Sequence, residues 1–341
     1  MSGGSVRRVV VRVLALGVTG VGLYIVAPSL LSMFDAWPSL GEVEPWWFAV
    51  VTLLELGSFC CLWLLLRIAL GTQRWFDVVT SQLAGNAASR VIPGGAASGG
   101  VVQAGMLIGS GFPPGTVGAT LSATGLLTFG MLLALPLLTV PALLAGLPIP
   151  DQLELGLVVS LGLAVALVAG GFAVLTWDRM VHAVSARIGA AVALVHRRAQ
   201  RDIVAARLVA ERDQVRAAFH RRWIRSLADA AGNRVLDFAA LTCSLLAVGA
   251  DARPSLVLLA YVASVALALI PVTPGGLGFV EAGLTSLLVV AGADADQAVV
   301  ATLLYRLVSY WLPIVVGALA YATWRARGHP WLAAQRADPN G

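Results

Sequence analysis

The chain has 341 residues, of which 58% are hydrophobic and 12% charged, with a mean hydropathy of +0.85. Soluble domains carry about 25% charged residues, so a soluble fold is excluded, and several windows have the length and purity of transmembrane helices, roughly 17–25 apolar residues each. The net charge is +5 and all 23 basic side chains are arginine, so topology has to be read from where those arginines stand.

Arg7, Arg8 and Arg12 flank the start of the first apolar span, about 10–31, which is too long for a signal peptide and is followed by further spans. The next connection, 32–45, holds Asp35, Glu42 and Glu44 and no arginine. Further spans read about 46–70, 115–146, 153–177, 230–250, 255–271 and 297–324. Between 177 and 226 there are eleven arginines against four acids. By the positive-inside rule the N-terminus and the segment 178–225 face the cytoplasm and 32–45 the other side. In 178–225 alanine, valine and leucine interleave with arginine at near-helical spacing, as in amphipathic helices on a membrane surface, serving either anchoring or recognition of acidic lipid.

Two stretches interrupt the apolar pattern. "NAASRVIPGGAASGGVVQAGMLIGSGFPPG" (86–115) contains Pro93-Gly94-Gly95 and, seven residues on, Gln103-Ala104-Gly105. "ALIPVTPGGLGFVEAGL" (268–284) contains Pro274-Gly275-Gly276 and, four residues on, Glu281-Ala282-Gly283. Each is followed by a long span with an internal proline, Pro136 or Pro313. Matched on the two Ala-Gly pairs, Thr128 falls opposite Arg306. Corresponding Gly/Pro-interrupted segments in two halves point to a transporter-like binding site; coincidence among 36 glycines is the alternative. The halves run about 46–146 and 230–324 within one membrane domain, 1–341, ending in a polar tail from 325. The expected fold is all-α and polytopic, with about 7–8 transmembrane helices and two repeat-related re-entrant elements. Two hairpins and seven spans would leave Arg325, Arg327 and Arg336 outside; eight crossings place both termini in the cytoplasm.

Irregular backbone at membrane depth is tolerated only inside protein or along a wet cavity. Helix N-termini that follow Pro-Gly-Gly present unpaired N–H groups suited to phosphate or carboxylate; close packing through small residues is the competing explanation. Arg306 lies nine or ten residues into its span, and Thr302, Arg306, Ser309, Tyr310 and Pro313 share one helical face. Glu281 is the only acid near the second break and the natural partner of Arg306, either as a structural pair or as one that opens to a phosphate. Arg90 stands at the mouth of the first break, where Gln103 supplies neutral hydrogen bonding. Asp229, Asn233 and Asp237 share a face beside Arg234; they line the same cavity, or Arg234 and Asp237 pair structurally. Glu55 is isolated within its span, where a protonated, hydrogen-bonded carboxyl fits better than a proton carrier.

Cys60, Cys61 and Cys243 show no ligand spacing, so neither a disulfide framework nor a metal site is expected. His182, His196, His220 and His329 fall in the basic segment and the tail. There is no nucleotide-binding loop of the G-x-x-x-x-G-K-[ST] kind. No cofactor, nucleic acid or catalytic set is implied.

"TPGGLGFVEAGL" with "YRLVSYWLPIVVG" resembles the signature of the lysylphosphatidylglycerol synthase transmembrane region, or flippase-like domain, family, and "SRVIPGGAASGGVVQAGML" is similar to its first motif. The resemblance runs over about 10–325. It implies two re-entrant elements and translocation of anionic, aminoacylated or polyprenyl-linked lipids across the cytoplasmic membrane. The substrate-binding residues it implies are Arg90, Pro93, Gly94, Gly95 and Gln103, then Pro274, Gly275, Gly276, Gly278, Glu281 and Arg306; Tyr305 beside Arg306 joins the candidates from the residues themselves, with Asn233, Arg234 and Asp237 as secondary ones. Bifunctional members carry an aminoacyl-transfer domain after the membrane part; this sequence stops at 341, so aminoacyl transfer is not expected of it. A lipid-phosphate or lipid-linked-sugar enzyme using Glu281 as base, and an accessory subunit of an envelope-lipid pathway, are the alternatives. The partners implied are a lipid with an anionic headgroup and, beyond it, a second copy of the chain or an envelope-biosynthesis protein.

Overall fold

The computed structural model describes residues 38–92, 94–139, 222–268 and 276–327, together with Gly162. All regular structure among them is helical, as the sequence predicts for a multi-pass membrane protein. A 3₁₀ turn (Pro38–Glu42) leads into α1 (Pro45–Leu70), α2 (Trp75–Val91), α3 (Ala96–Gly109) and α4 (Pro114–Ala134), which tightens into a second 3₁₀ turn at Leu135–Thr139. Later come α5 (Trp223–Ala247), α6 (Pro254–Leu267), α7 (Phe279–Val290), α8 (Ala295–Arg306), a π-helical segment (Leu307–Trp311) and α9 (Leu312–Ala326). The spans expected over 10–31 and 153–177, the basic segment up to 221, the four histidines, the tail beyond 327, and Pro93, Pro274 and Gly275 lie outside the described residues.

Three continuous rods are long and apolar enough to cross a bilayer: Pro45–Leu70, Pro114–Thr139 and Ala295–Ala326. Their 26, 26 and 32 residues reach at least about 39 Å, beyond the roughly 30 Å hydrocarbon core. By contrast α3 and α6 have 14 residues each and α7 has 12, so each spans only about 18–21 Å. The described elements therefore run in the same order twice, long, short, short, long: α1 to α4, then α5 to α9.

The packing follows that order. α1 and α5 lie against each other along their length, and α5 also meets α4 and α8. α2 packs on α3 and on α9; α6 packs on α7 and on the 3₁₀ end of α4; α7 leans on α8. Polar side chains point inward, among them Glu55, Ser58, Asp77, Gln82, Asn233, Glu281 and Thr302, whereas Leu53, Val101, Leu126, Val315 and Leu319 point outward. That inversion of the soluble pattern suits an apolar solvent, in which every polar group needs an internal partner.

Small residues bring backbones together where the short helices dock. A Cβ added at Gly99 would stand 2.7 Å from Ser89 Cβ, and one at Gly85 would stand 2.8 Å from Gln103 Cβ. One at Gly232 would stand 2.9 Å from Cys61 Sγ, so this cysteine fills the α1–α5 seam.

Three boundaries differ from the sequence expectation, each for a physical reason. α2 begins at Trp75, eleven residues before the stretch singled out, because Asp77, Thr80, Ser81 and Gln82 are buried in protein and lower its apparent hydropathy. α5 begins at Trp223 rather than near 230, since Arg225 and Asp229 are carried on the same helix beyond its apolar part. The window 255–271 holds α6, which ends at Leu267 and pairs with α7.

The last rod changes pitch at Leu307–Trp311. Pro313 cannot donate to the carbonyl of Ser309, and its ring crowds that oxygen, so the helix widens by one residue there. Thr302, Ser309, Tyr310 and Pro313 are nevertheless all buried, as the shared face requires.

A Cβ added at Gly317 would overlap the Leu83 carbonyl oxygen and come within 2.6 Å of Ala87 Cβ. Gly317→Val should destabilise the α2–α9 contact by about 1–3 kcal/mol, lowering the unfolding midpoint in detergent, whereas Gly118→Ala, with nothing within 4 Å, should leave it unchanged.

Candidate functional site

Arg306 closes α8 in the middle of the long Ala295–Ala326 rod. Its Nε donates to Glu281 Oε1 at 2.7 Å. Its Nη2 lies 2.6 Å from the same oxygen, so both nitrogens engage one carboxylate oxygen as an ion pair. Glu281, 3% exposed, is the third residue of α7, and its other oxygen accepts the Gly278 N–H at 2.6 Å. The carboxylate thus caps its own helix, which favours a negative group at that end. The chain reaches this geometry through left-handed backbone at Gly276 (φ 71) and Gly278 (φ 78), which glycine adopts without a Cβ penalty.

The tip of the first short pair arrives at the same place. Arg90, in the last turn of α2, donates from Nη1 to the Tyr310 carbonyl oxygen at 2.6 Å. That oxygen belongs to the π-helical segment, where the normal pairing of carbonyls is disturbed. Arg90 and Arg306 both stack on the Tyr310 ring, their guanidinium carbons 5.1 and 4.2 Å from its centroid, within the roughly 6 Å range of a cation–π contact. Gly94 (φ 113) and Gly95 (φ 56) then turn the chain into α3. Around one ring, two guanidinium groups face one carboxylate, that of Glu281, and no acid among the described residues lies within ion-pair distance of Arg90.

A second polar group adjoins the first. Asp237, on α5, accepts Tyr261 Oη on one oxygen and Tyr305 Oη on the other, both at 2.7 Å. Tyr305 immediately precedes Arg306, so the two groups share one turn of α8. Glu55, on α1 and 5% exposed, faces Asp237 across the α1–α5 seam in the register that Ser58 and Asn233 fix, and its Oε1 has no hydrogen-bond partner.

Among the residues singled out from sequence, the structure brings Arg90, Glu281, Arg306 and Tyr305 together, with Gly94, Gly95, Gly276 and Gly278 shaping the two tips. Asp237 joins them through Tyr305. Asn233 instead ties α5 to α1 through Ser58, with its Nδ2 2.7 Å from Ser58 Oγ. Arg234 donates from Nε to the Thr128 carbonyl oxygen at 3.2 Å, the position matched with Arg306. Gln103 stands apart from the tips: it is the eighth residue of α3, packed against Gly85. Three extra residues in the first motif place it lower on its helix than Glu281, the third residue of α7. Sequence reasoning missed the role of Tyr310 as the shared platform and left out Tyr261; buried aromatics with polar tips in a span are the signal that finds them. Among the described residues no three of His, Cys, Asp and Glu gather as metal ligands.

Apolar outward faces, an internal polar cluster and rods of bilayer length define a multi-pass membrane protein with a central arginine–acid site. The chain belongs to the family described as the lysylphosphatidylglycerol synthase TM region, whose model matches residues 12–317. It is similar to a UPF0104 membrane protein of Pyrococcus horikoshii, 41% identical over 63 residues, which is 18% of this chain and 19% of that protein. It is also similar to a UPF0104 membrane protein of Methanothermobacter thermautotrophicus, 34% identical over 89 residues, or 26% of this chain and 25% of the relative. The matches thus span about a fifth to a quarter of the length of these relatives.

Removing one partner of a buried pair leaves an uncompensated charge, at a cost of about 3–5 kcal/mol. Glu281→Gln and Arg306→Met should each lower stability in micelles by that order. The double variant should lose clearly less than the sum, and additive losses in a double-mutant cycle would show that the two side chains are not coupled.

Proposed function

We propose that this chain moves an anionic lipid across the cytoplasmic membrane and leaves it chemically unchanged, its headgroup held by Arg90 and Arg306 beside Tyr310. The observation that carries this reading is the excess of cationic groups there: two guanidiniums share one ring with the single carboxylate of Glu281. A phosphate oxygen supplies what is missing, since arginine presents its donors in a fork that fits phosphate. Acyl or polyprenyl chains stay in the bilayer, outside the apolar faces of α4 and α9.

Membership of a family named for lysylphosphatidylglycerol synthases supports a lipid as cargo. So does the depth of the site. In this reading the pairs α2–α3 and α6–α7 are re-entrant hairpins whose glycine tips meet near the midplane. α1 and α8–α9 then run towards one face, and α4 and α5 run towards the other. Arg67, Arg74 and Arg327 gather at the first face, where they stack on Trp75, Phe112 and Phe76. Asp251, Asp294 and Asp296 lie in or beside the connections at the second. The arginine-rich face is the cytoplasmic one. The hairpins enter from opposite sides, the arrangement of an inverted repeat.

The capped start of α7 refines how the headgroup is held. The Gly278 N–H is already taken by Glu281, so the arginines rather than both helix N-termini carry the binding in this state.

In liposomes containing fluorescent phosphatidylglycerol, the wild-type chain should speed transbilayer movement, and Arg306→Ala or Arg90→Ala should reduce it at least tenfold. The recovered lipid should be unchanged in mass. Equal movement in wild type and Arg306→Ala, or a chemically altered lipid, contradicts the reading. For the orientation, single cysteines introduced at Thr72 and at Asp294 should label from the cytoplasm and from outside, respectively; labelling from one side overturns the opposed hairpins.

A further inference from the structure

We propose that Glu55 and Asp237 form a proton-binding site whose occupancy is coupled to the anion on Arg90, so that lipid and proton cross together. The coupling rests on the transport reading above; the proton site does not.

Asp237 has both oxygens filled by phenolic donors, Tyr261 and Tyr305, each at 2.7 Å. Both of its oxygens therefore act as acceptors of phenolic protons. Glu55 lies beside it on α1, 5% exposed and with Oε1 unpartnered. Two carboxylates side by side, away from water, resist ionising together, and Arg90, the cation nearest Glu55, stands beyond ion-pair distance of it. The pair therefore holds one proton, and Glu55, which has no such donors, carries it and shares it towards Asp237.

The charged and titratable groups facing Glu55 come from three of the elements packed on α1. α5 supplies Asp237, with Arg234 close to Tyr261 behind it. α2 supplies Arg90, near enough to act electrostatically on Glu55. The rod of α8 and the π-helical segment supplies Tyr305, with Tyr310 and Arg306 beyond it. α4 also packs on α1 and carries no titratable side chain.

Arg90 is the element through which the two events are linked. With Glu55 protonated, Arg90 has no carboxylate of its own and is open to a phosphate. When the phosphate leaves, Glu55 can release its proton to water and become the counterion of Arg90. The loaded site (Arg90 with phosphate, Glu55 protonated) and the empty site (Arg90 facing ionised Glu55) therefore carry the same net charge. A site that alternates between two electrically equivalent forms avoids a bare charge at membrane depth in either one. Linkage is reciprocal: the anion raises proton affinity and the proton raises anion affinity by the same factor.

Infrared difference spectroscopy across a pH titration of the full-length protein in lipid reads the proton directly. A protonated-carboxyl band near neutral pH should be present in wild type, absent in Glu55→Gln and retained in Glu281→Gln. If Glu55→Gln fails to fold, a shift of the band in ¹³C-glutamate protein assigns it to a glutamate, and its persistence in Glu281→Gln leaves Glu55 as the buried one among the described residues. No such band, or one that neither the substitution nor the label moves, overturns the site whether or not lipid moves. In liposomes carrying fluorescent phosphatidylglycerol and an internal pH dye, wild type should move protons with lipid. A one-unit pH gradient should shift the probe's leaflet ratio up to about tenfold for one proton per lipid. Glu55→Gln should move no protons, should lose the response to the gradient, and should move lipid more slowly because Arg90 lacks its counterion in the empty site. Lipid movement in wild type that ignores the gradient overturns the coupling. An assigned band with no lipid movement removes the transport reading, and the coupling with it, but leaves the proton site standing.

Discussion

A guanidinium in the middle of a bilayer-length rod has to find a counterion inside the protein, and most of this structure is arranged around that need. Arg306 stands well inside Ala295–Ala326 with its side chain 11% exposed, and a charge so withdrawn from solvent is costly unless paired and hydrogen-bonded. Glu281 answers it, but only because α7 starts at that height, and α7 starts there because Gly276 and Gly278 take up left-handed backbone that a residue with a Cβ would resist. The short helices thus follow from the position of the arginine as much as from their own sequences. Tyr310 completes the arrangement by lending its ring to Arg306 and its carbonyl oxygen to Arg90, so that one residue of a widened helix ties the two halves of the chain together.

The tips are held by few bonds, whereas the rods are held along their length. α1 and α5 are packed from end to end and pinned by the Ser58–Asn233 pair. α2 is anchored at its opposite end by the Asp77–Ser110–Trp324 relay, with both hydrogen bonds at 3.0 Å. Between these anchors stand the charged contacts of Arg90 with Tyr310 and of Glu281 with Arg306. A rigid frame with a small number of charged contacts at its centre can exchange partners without disturbing the frame, which is what a headgroup and a proton would ask of it.

Much of this was legible in the residues. Hydropathy found the long rods because their outward faces are apolar, and the glycines marked where two short helices begin, Gly94 and Gly95 before α3 and Gly276 and Gly278 before α7. The Glu281–Arg306 pair followed from there being one acid near one buried arginine. Hydropathy could not find the first half of α2, whose Asp77, Thr80, Ser81 and Gln82 are satisfied by other helices and so read as polar. Nor could spacing reveal that Glu55 meets Asp237, since they are 182 positions apart and are brought together by the α1–α5 seam alone. Gln103 aligns by letter with Glu281, but three additional residues put it lower on its helix, beside Gly85.

The claim at the centre is that Arg90 and Arg306 together form the seat of a lipid headgroup. The most direct measurement is an electron cryomicroscopy map of the full-length chain in nanodiscs rich in phosphatidylglycerol. Headgroup density within hydrogen-bonding distance of both guanidiniums beside Tyr310 is the predicted result. Well-ordered arginines surrounded only by protein and water, with lipid density confined to the outer faces of the bundle, would contradict it.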